Sequence, residues 1–153
     1  MSYERQQNGF TVSTDPDRLD VDAIHAFLST SYWAEGIPRE IVAKALRNSL
    51  CFGLYEGERQ AGLARVVSDF ATYAYLCDVY VLPELRGRGL AKWLMECVLD
   101  HPELAGLRRF GLVTRDAHEL YRPFGFSALA HPDNHMEIAR PGLYRNRGGM
   151  PPE

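Results

Sequence analysis

No stretch of the 153-residue chain approaches the ~20 consecutive apolar residues that a membrane span requires, and mean hydropathy is only −0.27. The opening residues, Met1-Ser2-Tyr3-Glu4-Arg5-Gln6-Gln7, contain no apolar core of the kind a secretory signal carries. A cytoplasmic protein without a membrane partner is the expectation. Cysteine is scarce: Cys51, Cys77 and Cys97 are odd in number and include no Cys-x-x-Cys pair, so neither a disulfide framework nor a zinc site is indicated. A basic excess is missing too. Seventeen Lys and Arg face 20 Asp and Glu, a net charge of −3 and a pI near 6.0, which argues against nucleic acid as a partner. Internal repeats, low-complexity tracts and dividing linkers are absent, and no Gly-x-x-x-x-Gly-Lys-Ser/Thr phosphate loop occurs.

What is present suffices for one globular unit. The composition is 46% hydrophobic and 11% aromatic, and a chain of this length can bury about 70% of its unfolded surface. One domain is expected over residues 1–144, with 145–153 a mobile tail.

Periodicity divides the chain into elements. Phe10–Ser13 reads as a short strand. Val21, Ile24, Phe27 and Leu28 have one-sided helical spacing behind Asp20, a candidate N-cap. Pro38 opens a second helix with Ile41, Val42, Ala45 and Leu46 inside. From Leu50 the period shortens: 50–55, 61–69 and 73–82 read as a meander of strands that Pro83 stops. A third helix starts at Leu90 and ends at His101-Pro102. Phe110–Val113 reads as a buried strand and Asp116–Phe124 as a short helix closed by Gly125, with Phe126–Leu129 and Met136–Ala139 as final strands.

The most informative stretch is Val79-Tyr80-Val81-Leu82-Pro83-Glu84-Leu85-Arg86-Gly87-Arg88-Gly89-Leu90-Ala91, where a strand, a proline stop, a glycine-rich turn and a helix start succeed one another. The first N–H groups of a helix lack carbonyl partners and sit at the positive end of its dipole, so such a start binds anions. Gly87 and Gly89 allow close approach and positive φ, and Arg86 and Arg88 add charge. Arg-Gly-x-Gly is expected by chance only about 0.07 times in a chain of this size.

At these residues the chain resembles the GCN5-related N-acetyltransferase (GNAT) superfamily, whose signature is Arg/Gln-x-x-Gly-x-Gly/Ala, with Ala91 in its last position. A second stretch, Ala117-His118-Glu119-Leu120-Tyr121-Arg122-Pro123-Phe124-Gly125-Phe126, resembles the family's Ala-x-x-Leu-Tyr-x-x-x-Gly-Phe. Asp116 stands where many relatives carry Asn. The resemblance implies an α/β (α+β) fold with a mixed, mostly antiparallel sheet of six to seven strands and about four helices. It implies acetyl-CoA as cosubstrate and no metal. Backbone groups of Val79 and Val81 would pair with the pantetheine arm, and amides from Arg88 through Leu90 to Ala91 would hold the diphosphate. Tyr121 takes the place of the family's general acid, a phenol that can protonate or hydrogen-bond a departing thiolate of pKa ~8.5.

The acceptor amine, of pKa ~10.4, is only about 0.04% neutral at pH 7, so its proton must go to some base. Asp78 is the leading candidate base or structural acceptor, with Glu35 and Asp69 behind it. The expected acceptor cleft is bordered by Tyr32, Trp33, Glu35, Phe70 and Tyr73, whose aromatic faces and carboxylate suit a cation. A small-molecule amine or a peptide or protein amine is the expected partner, and a homodimer is permitted by exposed strand edges. The alternative is a non-catalytic acyl-CoA-binding module that keeps the same loop.

Overall fold

A computed structural model describes residues 2–145; of the tail expected over 145–153, Arg145 is described and 146–153 lie outside the described residues. Six strands form one sheet in the order β1-β2-β3-β4-β5-β6: β1 Glu4–Gln7, β2 Phe10–Ser13, β3 Leu50–Glu56, β4 Arg59–Ser68, β5 Tyr73–Val81 and β6 Arg109–Leu112. The first five pair antiparallel, and β5 pairs parallel with β6. Four α-helices flank them: α1 Val21–Leu28, α2 Arg39–Arg47, α3 Leu90–Asp100 and α4 His118–Tyr121. The mixed, mostly antiparallel architecture that the resemblance implies is the observed one.

Local chemistry explains these boundaries. The Asp20 carboxylate accepts from the Ala23 N–H at 3.0 Å, capping α1 as its sequence indicates. Alternation along the strands sends side chains to opposite faces of the sheet. On one face Phe52, Leu54, Val66 and Leu76 pack with Trp93, Leu94 and Val98 of α3; on the other, Leu63 and Tyr80 pack with Ile24 and Leu28 of α1 and Val42 and Leu46 of α2. Gly62 is required where β4 nears β5, because a Cβ there would collide with the Tyr80 carbonyl oxygen.

Three expectations are corrected. Strand β1 escapes the hydrophobic pattern because all four of its side chains are exposed, yet Asn8 (φ 51°) and Gly9 (φ 84°) form the Asn-Gly turn that joins it to β2. The helix expected over Asp116–Phe124 is α-helical only from His118 to Tyr121 and tightens into a 3-10 turn through Phe124, where Pro123 has no N–H to donate; Gly125 closes it at φ 99°. Finally, Phe126–Leu129 and Met136–Ala139 are not strands. Phe126 packs edge-on against Phe110 and Tyr121, but every residue from Ser127 to Gly142 is exposed, and the segment faces β6 across a cavity without pairing to it.

Candidate active site

Strands β5 and β6 are paired only from Tyr73–Leu76 to Arg109–Leu112. Beyond Leu76, β5 continues to Val81 while the chain after Leu112 turns away towards α4, so Asp78, Val79, Tyr80 and Val81 line an open split in the sheet. The split begins at a bulge. Arg65 is opposite Cys77 but Leu63 is opposite Tyr80, which inserts an extra residue in β5, and Asp78 adopts φ 53° there. Aspartate tolerates this left-handed conformation better than most residues.

The Asp78 carboxylate is fixed on both sides. Its Oδ2 accepts from Arg65 Nε at 2.8 Å and its Oδ1 from Trp33 Nε1 at 2.8 Å, with the Asp78 side chain 12% exposed. Burial works against the Arg65 charge, but the charge and hydrogen bond of Asp78, with smaller help from Cys77 and Cys51, together outweigh it and raise the guanidinium pKa. Each carboxylate oxygen keeps a lone pair beyond the one engaged. Arg65 is a residue that sequence reasoning missed; its signal was a single cation within the apolar run from Ala61 to Val67.

The chain from Leu82 onward leads from the end of β5 into α3. A 3-10 turn at Pro83–Leu85 leads to Gly87 (φ 80°) and Gly89 (φ 76°), the latter being the N-cap of α3. No side chain caps this helix and no acid occupies its first turn; a Cβ added at either glycine would meet nothing within 4 Å. The open cradle of uncapped amides, with Arg88 and Lys92 beside it, fits a diphosphate. Arg86 has a further duty: its Nε donates to the Val81 carbonyl at 3.0 Å, tying the turn to the end of β5 and engaging one of the backbone groups expected to meet pantetheine.

Tyr121 is 8% exposed, and burial, with a smaller contribution from Tyr32, pushes its phenol up to about 12. It borders a cavity of about 880 Å³ shared with Tyr73, Thr114, His118 and Phe126. Tyr32 and Trp33 meet edge to face at 5.1 Å, connecting the neighbourhood of Tyr121 to Asp78. A second cavity of about 300 Å³ lies between Tyr32, Trp33 and Glu35 and the segment Arg140–Arg145. The loop from Arg86 to Ala91 borders neither cavity.

The structure thus gathers Tyr32, Trp33, Asp78 and Tyr121 at one place. Other expected residues are engaged or apart. The Tyr32 ring is already covered by the Arg115 guanidinium at 3.8 Å, and Glu35 pairs with Arg145 at 3.0 Å. Phe70, at φ 61° in the β4–β5 turn, borders neither cavity, and Tyr73 is five residues from Asp78 along β5, about 16 Å at strand rise. Asp69 serves the turn: the Thr72 hydroxyl and the N–H groups of Ala71, Thr72 and Tyr73 hold its carboxyl well below the usual range, which makes it a poor base. Burial pushes the Cys51 thiol up to about 12 and the Cys77 thiol up to about 11, so neither is a ready thiolate. No group of His, Cys, Asp and Glu suited to a metal occurs among the described residues, and none of their helices is long and apolar enough to cross a membrane.

A sheet split beside an uncapped helix N-terminus is the arrangement that the resemblance to the GNAT superfamily implies, that of an α/β acyl-transferring enzyme, and comparison with known proteins agrees. Residues 19–126 match the acetyltransferase (GNAT) family model. A protein of Gibberella zeae, provisionally named an acetyltransferase, is 38% identical over 135 residues, covering 73% of this chain and 75% of that protein. The crystal structure of a Xanthomonas campestris pv. campestris protein assigned to the same family superposes with a TM-score of 0.88 at 51% identity, over 91% of this chain and 99% of the other. A Clostridium acetobutylicum protein predicted to be an acetyltransferase, crystallised with acetyl-CoA, shares the fold at TM-score 0.61 and 16% identity, over 91% and 96% of the two chains. The chain belongs to the acetyltransferase (GNAT) family.

Proposed function

We propose that the protein transfers the acetyl group of acetyl-CoA to a primary amine by direct attack within a ternary complex. The observation that carries this reading is the uncapped N-terminus of α3, opening beside the split edge of β5. Amides from Arg88 to Ala91 would hold the diphosphate, with Arg88 adding charge, and the free edge at Val79 and Val81 would receive the pantetheine amides. The acetyl-CoA in the Clostridium acetobutylicum neighbour supports the choice of cosubstrate.

The thioester supplies an activated acyl group, and the chain supplies the rest. The amine would enter beside Trp33 as an ammonium and pass one proton to Asp78; the freed lone pair then bonds to the carbonyl carbon, and the second N–H proton leaves for solvent as the amide forms. The C–S bond then breaks and the sulfur leaves. Tyr121 is protonated at any physiological pH and donates a hydrogen bond to that sulfur; complete transfer to a thiolate of pKa ~8.5 would run uphill from a phenol near 12. The raised thiols of Cys51 and Cys77 favour direct transfer over an acyl-cysteine route. The test is thiol release from acetyl-CoA across a panel of amines, amino acids and lysine peptides, with calorimetry for the cosubstrate. Binding with acetylation of at least one amine is expected; tight binding with no turnover on any of them would leave a binding module instead.

A further inference from the structure

We infer that the cavity between the loop after α1 and the segment Arg140–Arg145 is an anion subsite, so that the amine this protein acetylates also carries a carboxylate. The inference rests on the acetyl-transfer reading above and names the class of acceptor.

The walls of this cavity are fixed against each other. Gly36 has φ 81°, and a Cβ there would lie 2.6 Å from the Tyr144 carbonyl oxygen, so the two backbones meet directly where only glycine fits. Next to it Glu35 pairs with Arg145 at 3.0 Å. The Arg145 N–H donates to the Gly142 carbonyl at 3.1 Å, closing the turn that carries these contacts. Between the two walls remain about 300 Å³, at the small end of the range for sites that take a small molecule.

Charge decides what fits. Three arginines lie around Tyr32 and this cavity, and two of them are spoken for. Arg145 is matched by Glu35, the one acid of the lining, and Arg115 covers the Tyr32 ring at 3.8 Å with Asp116 3.7 Å away. Arg140 lines the cavity and takes part in no ion pair among the described residues. The lining thus holds one uncompensated positive charge, on a planar guanidinium whose paired N–H groups suit the two oxygens of a carboxylate.

Trp33 joins this end to the reacting end. It lines the cavity, and its Nε1 donates to Asp78 at 2.8 Å, so a single residue bridges the unpaired cation and the carboxylate expected to receive the amine's proton. An acceptor with an amine at one end and a carboxylate at the other satisfies both. A diamine would instead bring a second cation to Arg140 and is selected against.

The test compares glycine, β-alanine, γ-aminobutyrate, ε-aminocaproate and glycylglycine with their carboxamides and with putrescine, the dipeptide distinguishing a peptide terminus from a free amino acid. Calorimetry with coenzyme A present gives affinities, and thiol release from acetyl-CoA gives kcat/KM, for the wild type, Arg140→Gln and Arg140→Lys. Arg140 is exposed, so neither change disturbs folding, which circular dichroism will verify. At least one carboxylate should bind the wild type about 10- to 100-fold more tightly than its carboxamide or putrescine, the factor that a hydrogen bond to a charged group supports. Arg140→Gln should erase that ratio and Arg140→Lys should keep part of it. Equal affinity for carboxylate and carboxamide, a ratio that survives Arg140→Gln, or no binding of any probe would overturn the inference. Turnover of the carboxamides as fast as of the carboxylates would overturn it while leaving acetyl transfer standing. Carboxylate binding that depends on Arg140, without turnover of any probe, would support the subsite and count against the transfer reading instead.

Discussion

The indole Nε1 of Trp33 donates to Asp78 Oδ1 at 2.8 Å, joining the loop after α1 to the bulge in β5. A half-exposed tryptophan thereby sets the direction of a carboxylate at the mouth of the sheet split. Trp33→Phe keeps an aromatic ring but removes the donor. A hydrogen bond to a charged group is worth about 1.5–3 kcal/mol, so kcat/KM for the amine should fall about 10- to 100-fold. Calorimetric affinity for acetyl-CoA should stay within twofold of the wild type. An unchanged kcat/KM would remove Trp33 from acceptor binding.

Asp78 is tested by charge rather than by size. Asparagine also tolerates positive φ, so Asp78→Asn preserves the bulge. Its amide oxygen can serve Arg65 or Trp33 but not both, because the NH2 group then faces a second donor. About 1–3 kcal/mol of stability should be lost, together with most of the turnover at neutral pH. Raising the pH should restore part of the rate in the variant by supplying neutral amine, and a variant whose pH–rate profile parallels the wild type would show that Asp78 takes no proton.

These two residues illustrate what the sequence disclosed. The spacing around Asp20 located α1 and its cap, and Pro83 followed by Gly87 and Gly89 located the end of β5 and the start of α3. Tyr121 followed from the second motif. The partnership of Arg65 with Asp78 was hidden, because the bulge changes the β4–β5 register and alternation alone cannot count an inserted residue. Arg115 over Tyr32 was hidden for a similar reason: the two meet only through tertiary packing. The pattern of Met136–Ala139 was legible, but a strand also needs an edge to join, and nothing in local sequence supplies one.

Gly89 separates backbone strain from cosubstrate contact. Alanine at φ 76° costs roughly 1–2 kcal/mol, a drop in Tm of about 2–8 °C for a chain this long. Its Cβ would also enter the open space before the α3 amides. Gly57→Ala, at φ 60° in the turn between β3 and β4, carries the same strain away from that space and serves as the control. Coenzyme A should raise the Tm of the wild type and of Gly57→Ala but not of Gly89→Ala. An undiminished shift in Gly89→Ala would locate the diphosphate elsewhere.

Tyr121→Phe retains the ring that packs on Phe126 and loses only the hydroxyl. If that hydroxyl stabilises the departing sulfur by a hydrogen bond, kcat should fall about 10- to 100-fold with coenzyme A affinity nearly unchanged. The same residue makes a separate demand on stability. Its pKa is about 12 folded against 10.0 for an exposed tyrosine, because burial disfavours the phenolate. Between these values the unfolded chain releases the proton and the folded chain keeps it. The stabilisation is therefore complete below pH 10 and is lost as pH rises through about 12. Tyr55, also pushed up to about 12 by burial, adds to the same limb. The Tm of the wild type should decline across that window more steeply than that of Tyr121→Phe, followed by circular dichroism at fixed ionic strength. Parallel curves would mean that the Tyr121 hydroxyl already reaches water, and a hydroxyl so hydrated would be a weak donor to a leaving thiolate.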